Sequence, residues 1–273
     1  MKPAIVGLVL VSTLTGMYIG GRGAVELSVA LWTLAGVGLA TAGAAVLNNY
    51  IDRDIDALMP RTAARALARG SIDAEYALIL GTLMVGLSMS ILLNRVGVLT
   101  ALLTAVAVFI YVVLYAMILK RRTPLANQIG GLAGALPPVL GITAVTGALS
   151  VEALILFAIV ALWQQPHALS LALKYRSDYA KASIPVIPVA KGVRATKLRI
   201  LLYTSVLVPV STLLFLTGMA GLFYLVTALV LGGVWFFLSL RFWRSKRQCD
   251  MFLFFYSILY LTLVFSVLVF DMV

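Results

Sequence analysis

The sequence predicts an all-α polytopic membrane protein with nine transmembrane helices, the amino end in the cytoplasm and the carboxyl end outside. Three observations predict it. First, 62% of the 273 residues are hydrophobic and only 11% are charged. Soluble domains carry roughly 25% charge. Second, mean hydropathy is +1.07, and at about 20 residues per span the apolar residues suffice for eight or nine helices. Third, the basic residues alternate between loops. These figures exclude a soluble globular domain, a disordered chain and a disulfide scaffold. A transmembrane β-barrel is excluded too, because the apolar runs are continuous rather than alternating.

The apolar stretches run approximately over 4–20, 25–50, 76–93, 96–119, 126–147, 151–173, 198–216, 220–240 and 251–270. The first lacks a small-residue cleavage site with a soluble domain behind it, so it reads as a span rather than a cleaved signal. The fifth is glycine-rich and contains Pro137-Pro138. A kinked or broken helix is expected there, as occurs where protein or a cavity covers the freed backbone.

Of the 21 Lys and Arg residues, 19 lie at the amino end or in the even-numbered loops. The positive-inside rule puts those segments in the cytoplasm. Seven of the ten acids fall on the same side. The net charge of +11 is therefore a topology signal, and nucleic acid is not an expected partner. Cys249 is the single cysteine, which excludes an intrachain disulfide and a cysteine metal cluster. The whole chain, 1–273, reads as one transmembrane domain. Two long charged loops, 51–75 and 174–197, follow the second and sixth spans on the cytoplasmic side. Their four-helix offset suggests two related halves, as in parallel transporter repeats.

The sharpest motif is Asn48-x-x-x-Asp52-x-x-x-Asp56. Steps of four put these side chains on one helix face, where the second span meets the cytoplasmic interface. Such hard oxygen donors suit Mg²⁺, which keeps waters and substrate phosphates in its shell. Local ion pairs at a solvated helix end are the plainer reading. Arg53, Arg61 and Arg65 stand close by, however, and carboxylates beside guanidinium groups suit a diphosphate bridged by metal and gripped by Arg forks.

The residues then resemble a family. The string NNYIDRDIDALMPRTAARAL at 48–67 resembles the first acidic motif of the UbiA superfamily of intramembrane prenyltransferases, and its protoheme IX farnesyltransferase (heme O synthase) branch in particular. LKRRTPLANQIGGLAGALPPVLG at 119–141, ALKYRSDYAKASIPVIPV at 172–189 and KPAIVGLVLVSTLTGM at 2–17 are similar to that branch as well. The resemblance runs to about residue 204 and more loosely beyond. It implies nine helices around a central cavity, with loops 51–75 and 174–197 as cytoplasmic caps. It also implies transfer of farnesyl from farnesyl diphosphate to a vinyl group of heme b, with water adding to give heme O. Mg²⁺ is the implied cofactor and heme b the acceptor substrate. A downstream heme-modifying enzyme is an implied partner beside the lipid bilayer. The implied location is a prokaryotic plasma membrane with the site rim facing the cytoplasm.

Carried over residue by residue, Asn48, Asp52, Asp56 and Asp178 would hold Mg²⁺. Arg53, Arg61, Arg65, Lys120, Arg121, Asn127 and Lys174 would bind substrate. The superfamily's second motif is usually another DxxxD; here Lys174 stands four residues before Asp178, so a site with fewer acids and direct Lys or Arg contacts to diphosphate stands as an alternative to a four-carboxylate, two-metal site. His167, the only histidine, lies in the sixth span after Pro166. A lone intramembrane histidine is commonly a structural hydrogen-bonding residue. The matching Pro-His of the heme branch adds two roles, ligating heme iron or positioning the water. The aromatic residues usual after Pro-His are absent here, which changes the acceptor pocket. Lys120-Arg121-Arg122 reads equally as an interfacial anchor. Two rival readings remain: the same family with a quinone precursor, chlorin or lipid as acceptor, and a small-molecule transporter.

Overall fold

The computed structural model describes residues 3–273, so Lys2 of the topology argument lies outside the described residues. They form helices and no named strand; one isolated bridge joins Ala220 to Met272. Eight helical stretches are long and apolar enough to cross a membrane, and a further apolar helix precedes them.

Contacts divide the chain into two compact units. The first runs to Leu149 and includes Asp178–Ile184; the second comprises Ser150–Ser177 and Pro185–Val273. The boundary follows the fifth apolar stretch, so the units do not coincide with a four-helix period.

In the first unit, α1 (Pro3–Gly20) and α2 (Leu27–Ile51) lead into the short α3 (Arg53–Leu58). α4 (Ala74–Arg95) follows, its start capped by Asp73, whose carboxylate accepts from the Glu75 amide at 2.7 Å. α5 (Val98–Val108) continues as a π-helical segment over Phe109–Leu119. The fifth stretch is broken as expected, into α6 (Ala126–Gly134) and α7 (Pro137–Thr146). The two prolines occupy the first turn of α7, where their missing N–H groups cost nothing. Small residues set the packing, as they do where lipid supplies no hydrophobic drive between helices. A Cβ on Gly16 would lie 2.0 Å from the Pro138 carbonyl oxygen, and one on Gly141 would lie 2.0 Å from that of Thr13. Hence α1 and α7 touch backbone to backbone. α2 and α4 approach at Gly43 and Gly81, and Ser88 donates to the Gly36 carbonyl at 2.6 Å.

The second unit contains α8 (Val151–Lys174), the short α10 (Ile187–Ala190), α11 (Gly192–Leu216), α12 (Leu222–Arg244) and α13 (Met251–Phe270). The short α9 (Arg176–Lys181) spans the unit boundary. Tyr224, Tyr260 and Trp235 are buried. The two tyrosine hydroxyls find partners: Tyr260 and Ser211 bond at 2.7 Å, and Tyr224 donates to the Ser211 carbonyl at 2.9 Å. Outer faces instead expose Leu222, Phe223 and Phe237, the pattern of helices solvated by lipid.

Two boundaries differ from expectation. α11 begins at Gly192, six residues before the apolar stretch, so the second loop is shorter and holds α9 and α10. Hydropathy excludes Arg194 and Lys197 from a span. The helix nevertheless extends through them because Lys197 finds a partner, the Ser245 carbonyl at 2.9 Å. Likewise α12 runs on to Arg244.

Candidate functional site

The predicted stripe is built across the junction of α2 and α3. Asp52 links them in near-helical backbone (φ −88°, ψ 0°). Its amide donates to the Asn48 carbonyl at 3.0 Å, and the Asp56 amide donates to the Asp52 carbonyl at 2.8 Å. The i to i−4 spacing therefore persists through the junction, and Asn48, Asp52 and Asp56 are each at most 2% exposed.

Buried carboxylates need partners, and basic residues from elsewhere in the same unit supply them. Asp52 Oδ2 accepts from Asn48 Nδ2 at 2.9 Å and from the Lys120 ammonium. Asp52 Oδ1 is buried and has no hydrogen-bond partner. Asp56 Oδ2 accepts from Arg65 at 2.5 Å. The buried Thr62 hydroxyl donates to the Asp56 carbonyl at 2.9 Å and holds the loop that carries Arg61 and Arg65.

Lys120 is placed by the wide turns that precede it. Its amide bonds the Tyr115 carbonyl at 2.9 Å, five residues back, and its ammonium lies 5.7 Å from the centre of the Tyr115 ring. Tyr111 stacks on Tyr115 at 5.8 Å. Gly130 permits this, since a Cβ there would meet the Tyr115 ring at 2.6 Å.

Beyond this buried group, Arg121 forks onto Asp54 at 2.6 and 2.7 Å and donates to the Ile51 carbonyl at 3.1 Å. The Arg121 hydrogen bonds hold the Asp54 carboxyl below the usual carboxylate range, and Asp54 raises the guanidinium in turn. A group with a depressed folded pKa stabilises above its unfolded pKa and loses that contribution as pH falls through the folded value. Both side chains are well exposed, so the pair is worth about 0.2–1 kcal/mol. A double-mutant cycle of Asp54→Asn and Arg121→Gln is expected to give a coupling of that size at pH 7 that is lost as acid takes the pH from the ordinary carboxylate range down through the lowered folded value. Thermal denaturation followed across that acid range checks it.

The other predicted residues take varied positions. Arg61 hydrogen-bonds Tyr179, whose phenol burial pushes up while the charges of Arg61 and Arg65 pull it down. Asp178 is half-buried beside it. Arg53 is exposed and turns back onto the end of α2, donating to the Tyr50 carbonyl at 2.7 Å and covering the Tyr50 ring. Asn127 is half-buried in the first turn of α6. Among the described residues no three Asp, Glu, His or Cys gather at one point, so Asp52, Asp56 and Asp178 do not form one ligand shell by themselves. Sequence reading missed Asp54, Tyr111, Tyr115 and Tyr179. The four-residue step from Tyr111 to Tyr115 and the position of Tyr179 next to Asp178 were the available signals.

In the second unit, His167 on α8 lies between Trp163 and Phe254, at 5.0 and 4.4 Å between ring centres. Its Nδ1 is 2.7 Å from Ser257 Oγ. The Ser257 hydroxyl donates its own proton to the Phe254 carbonyl at 2.5 Å. Ser257 must therefore accept from His167, so Nδ1 carries the proton and Nε2 keeps its lone pair. Trp163 Nε1 donates to the Ser257 carbonyl at 2.6 Å and fixes the same turn. Lys174, at the end of α8, is exposed and 5.3 Å from the Tyr175 ring centre.

Comparison with known proteins agrees with this picture. The chain is 50% identical over 272 residues to a protoheme IX farnesyltransferase of Aquifex aeolicus, covering all of this chain and 93% of that protein. It is 46% identical to a protoheme IX farnesyltransferase of Thioalkalivibrio sulfidiphilus, covering 99% and 90%. Its fold is that of a solved digeranylgeranylglyceryl phosphate synthase (TM-score 0.83, 16% identity, 97% and 92% covered). A UbiA homolog from Archaeoglobus fulgidus, solved with DMAPP and Mg²⁺, is also similar (TM-score 0.72, 17% identity, 96% of each chain). The pattern of the UbiA prenyltransferase family matches residues 9–264, and this chain belongs to that family.

Proposed function

We propose that this protein transfers farnesyl from farnesyl diphosphate to a vinyl group of heme b, with water addition giving heme O and release of diphosphate. The observation that carries the reading is the Asp52 carboxylate: buried, with one oxygen held by Asn48 and Lys120 and the other without a partner. It stands in a chain with full-length relatives named protoheme IX farnesyltransferase.

Mg²⁺ fits these residues. A buried carboxylate oxygen without a protein donor is a hard ligand, and Mg²⁺ uses one or two carboxylates and fills its shell with water and phosphate oxygens. Asp52 and Asp56 would hold it, with Asn48 beside them and Asp178 as a further candidate ligand. When bound, Mg²⁺ supplies charge neutralisation to the departing diphosphate. The chain's own cations do the rest. Lys120 and Arg65 balance the acids until the diphosphate arrives, then share their charge with it. Arg61 adds a fork for its oxygens. Held in a water-poor site, these groups stabilise the developing diphosphate charge as the C1–O bond breaks. In the second unit, His167 contacts the heme through Nε2, as iron ligand or as the group that orients water, and Lys174 serves as an anion contact.

The amino end is cytoplasmic, α1 makes the ninth span, and the site rim faces the cytoplasm of a prokaryotic cell. Charge alternation supports this orientation. The test is to incubate purified protein with heme b, farnesyl diphosphate and Mg²⁺ and look for heme O by mass spectrometry. Folded, heme-loaded protein that makes none would sink the assignment. A farnesylated quinone precursor instead would move the acceptor.

A further inference from the structure

Two adjoining cavities lie at the ends of α11 and α12, and none of the candidate site residues lines them. One, about 450 Å³, is lined by Arg194, Lys197, Trp243, Arg244, Ser245 and Lys246, with Val193 and Gln248. It contains four cations and no acid. The other, about 380 Å³, is lined by Phe237, Leu240, Arg241, Arg244 and Ser245. They share Arg244 and Ser245, so a basic cleft opens onto an apolar trough along α12.

The basic end is a built feature. Lys197 is 5% exposed. Its ammonium is held by the Ser245 carbonyl at 2.9 Å and lies 4.4 Å from the Phe242 ring centre. Among the described residues none of the four cations pairs with a carboxylate. A topology signal needs only charge at a loop; it does not need a lysine sunk into a cleft without a counter-ion. Trp243, partly exposed beside it, is a residue type enriched at the membrane surface. Basic pockets between transmembrane helices accept anionic headgroups, and the exposed Phe237 offers an acyl chain an apolar path.

We propose that this cleft binds the phosphate of an anionic phospholipid, with one acyl chain along the trough at Phe237 and Leu240. The same phosphate chemistry could come from a free phosphate or from the prenyl diphosphate, and the test separates them. The full chain is purified in neutral detergent, and thermal stability and native mass spectra are followed on adding phosphatidylglycerol, phosphatidylcholine, inorganic phosphate or farnesyl diphosphate. Phosphatidylglycerol is expected to bind at least about tenfold more tightly than phosphatidylcholine. The Arg194→Gln/Lys246→Gln variant is expected to lose that preference and to keep prenyl transfer in detergent; the Arg194→Lys/Lys246→Arg variant is expected to keep both. Equal binding of the two lipids, or a preference intact in the Gln variant, overturns the proposal. So does inorganic phosphate or farnesyl diphosphate displacing phosphatidylglycerol at equal concentration.

Discussion

Asp52→Asn is expected to lower turnover about 10³-fold, the range seen when a group that stabilises transition-state charge is removed. Asparagine keeps the shape and can still meet Asn48, but it cannot present an anionic oxygen to a metal. The change also leaves Lys120 without its counter-ion. Breaking a buried pair from one side costs about 3–5 kcal/mol, and Lys120 at 11% exposure is close to that situation. The double variant Asp52→Asn/Lys120→Met removes the stranded charge and is expected to recover most of the thermal stability without recovering turnover. Melting curves and single-turnover assays on the three variants separate the two effects. Wild-type turnover in Asp52→Asn would remove the carboxylate from the mechanism.

His167→Ala should reduce turnover with heme b about 10²-fold, at the low end of what a positioned acid–base or ligand group contributes. The proton on Nδ1 is committed to Ser257, so only Nε2 can act. If Nε2 ligates iron, the Soret band of the heme-loaded protein shifts in the variant. If it orients water, the band stays and prenylated products that lack the hydroxyl accumulate. A control comes from Ser257→Ala, which frees the tautomer without removing the ring; its expected effect is about tenfold. Unchanged spectrum, product and rate in His167→Ala would leave His167 a packing residue between Trp163 and Phe254.

Hydropathy alone located the spans well because lipid imposes a length and a composition on every helix that crosses it. The break in the fifth stretch was equally legible, since Pro137 and Pro138 cannot donate helical hydrogen bonds. The ends of α11 and α12 were not. Arg194, Lys197, Arg241 and Arg244 read as loop residues on any hydropathy scale, and only the folded backbone shows that the helices continue through them.

The Asn48–Asp52–Asp56 stripe was a local property. Its spacing follows from 3.6 residues per turn, so the sequence by itself determined that these side chains share a face. It also determined the family, because the resemblance rests on contiguous strings. What it could not determine was the partnership of charges. Arg53 sits next to Asp52 in the chain, yet it folds onto Tyr50, while Lys120, 68 residues away, reaches the carboxylate. Arg121, the next residue, goes to Asp54 instead. Neutralising a buried acid depends on which cation the fold carries to it, and that is set by the π-helical turns before Lys120 and the close packing at Gly130. The protonated nitrogen of His167 was likewise decided by tertiary structure, through a serine 90 residues away in sequence. Residue type and spacing follow from local geometry; the pairing of charges and protons needs long-range contacts, and only the fold supplies those.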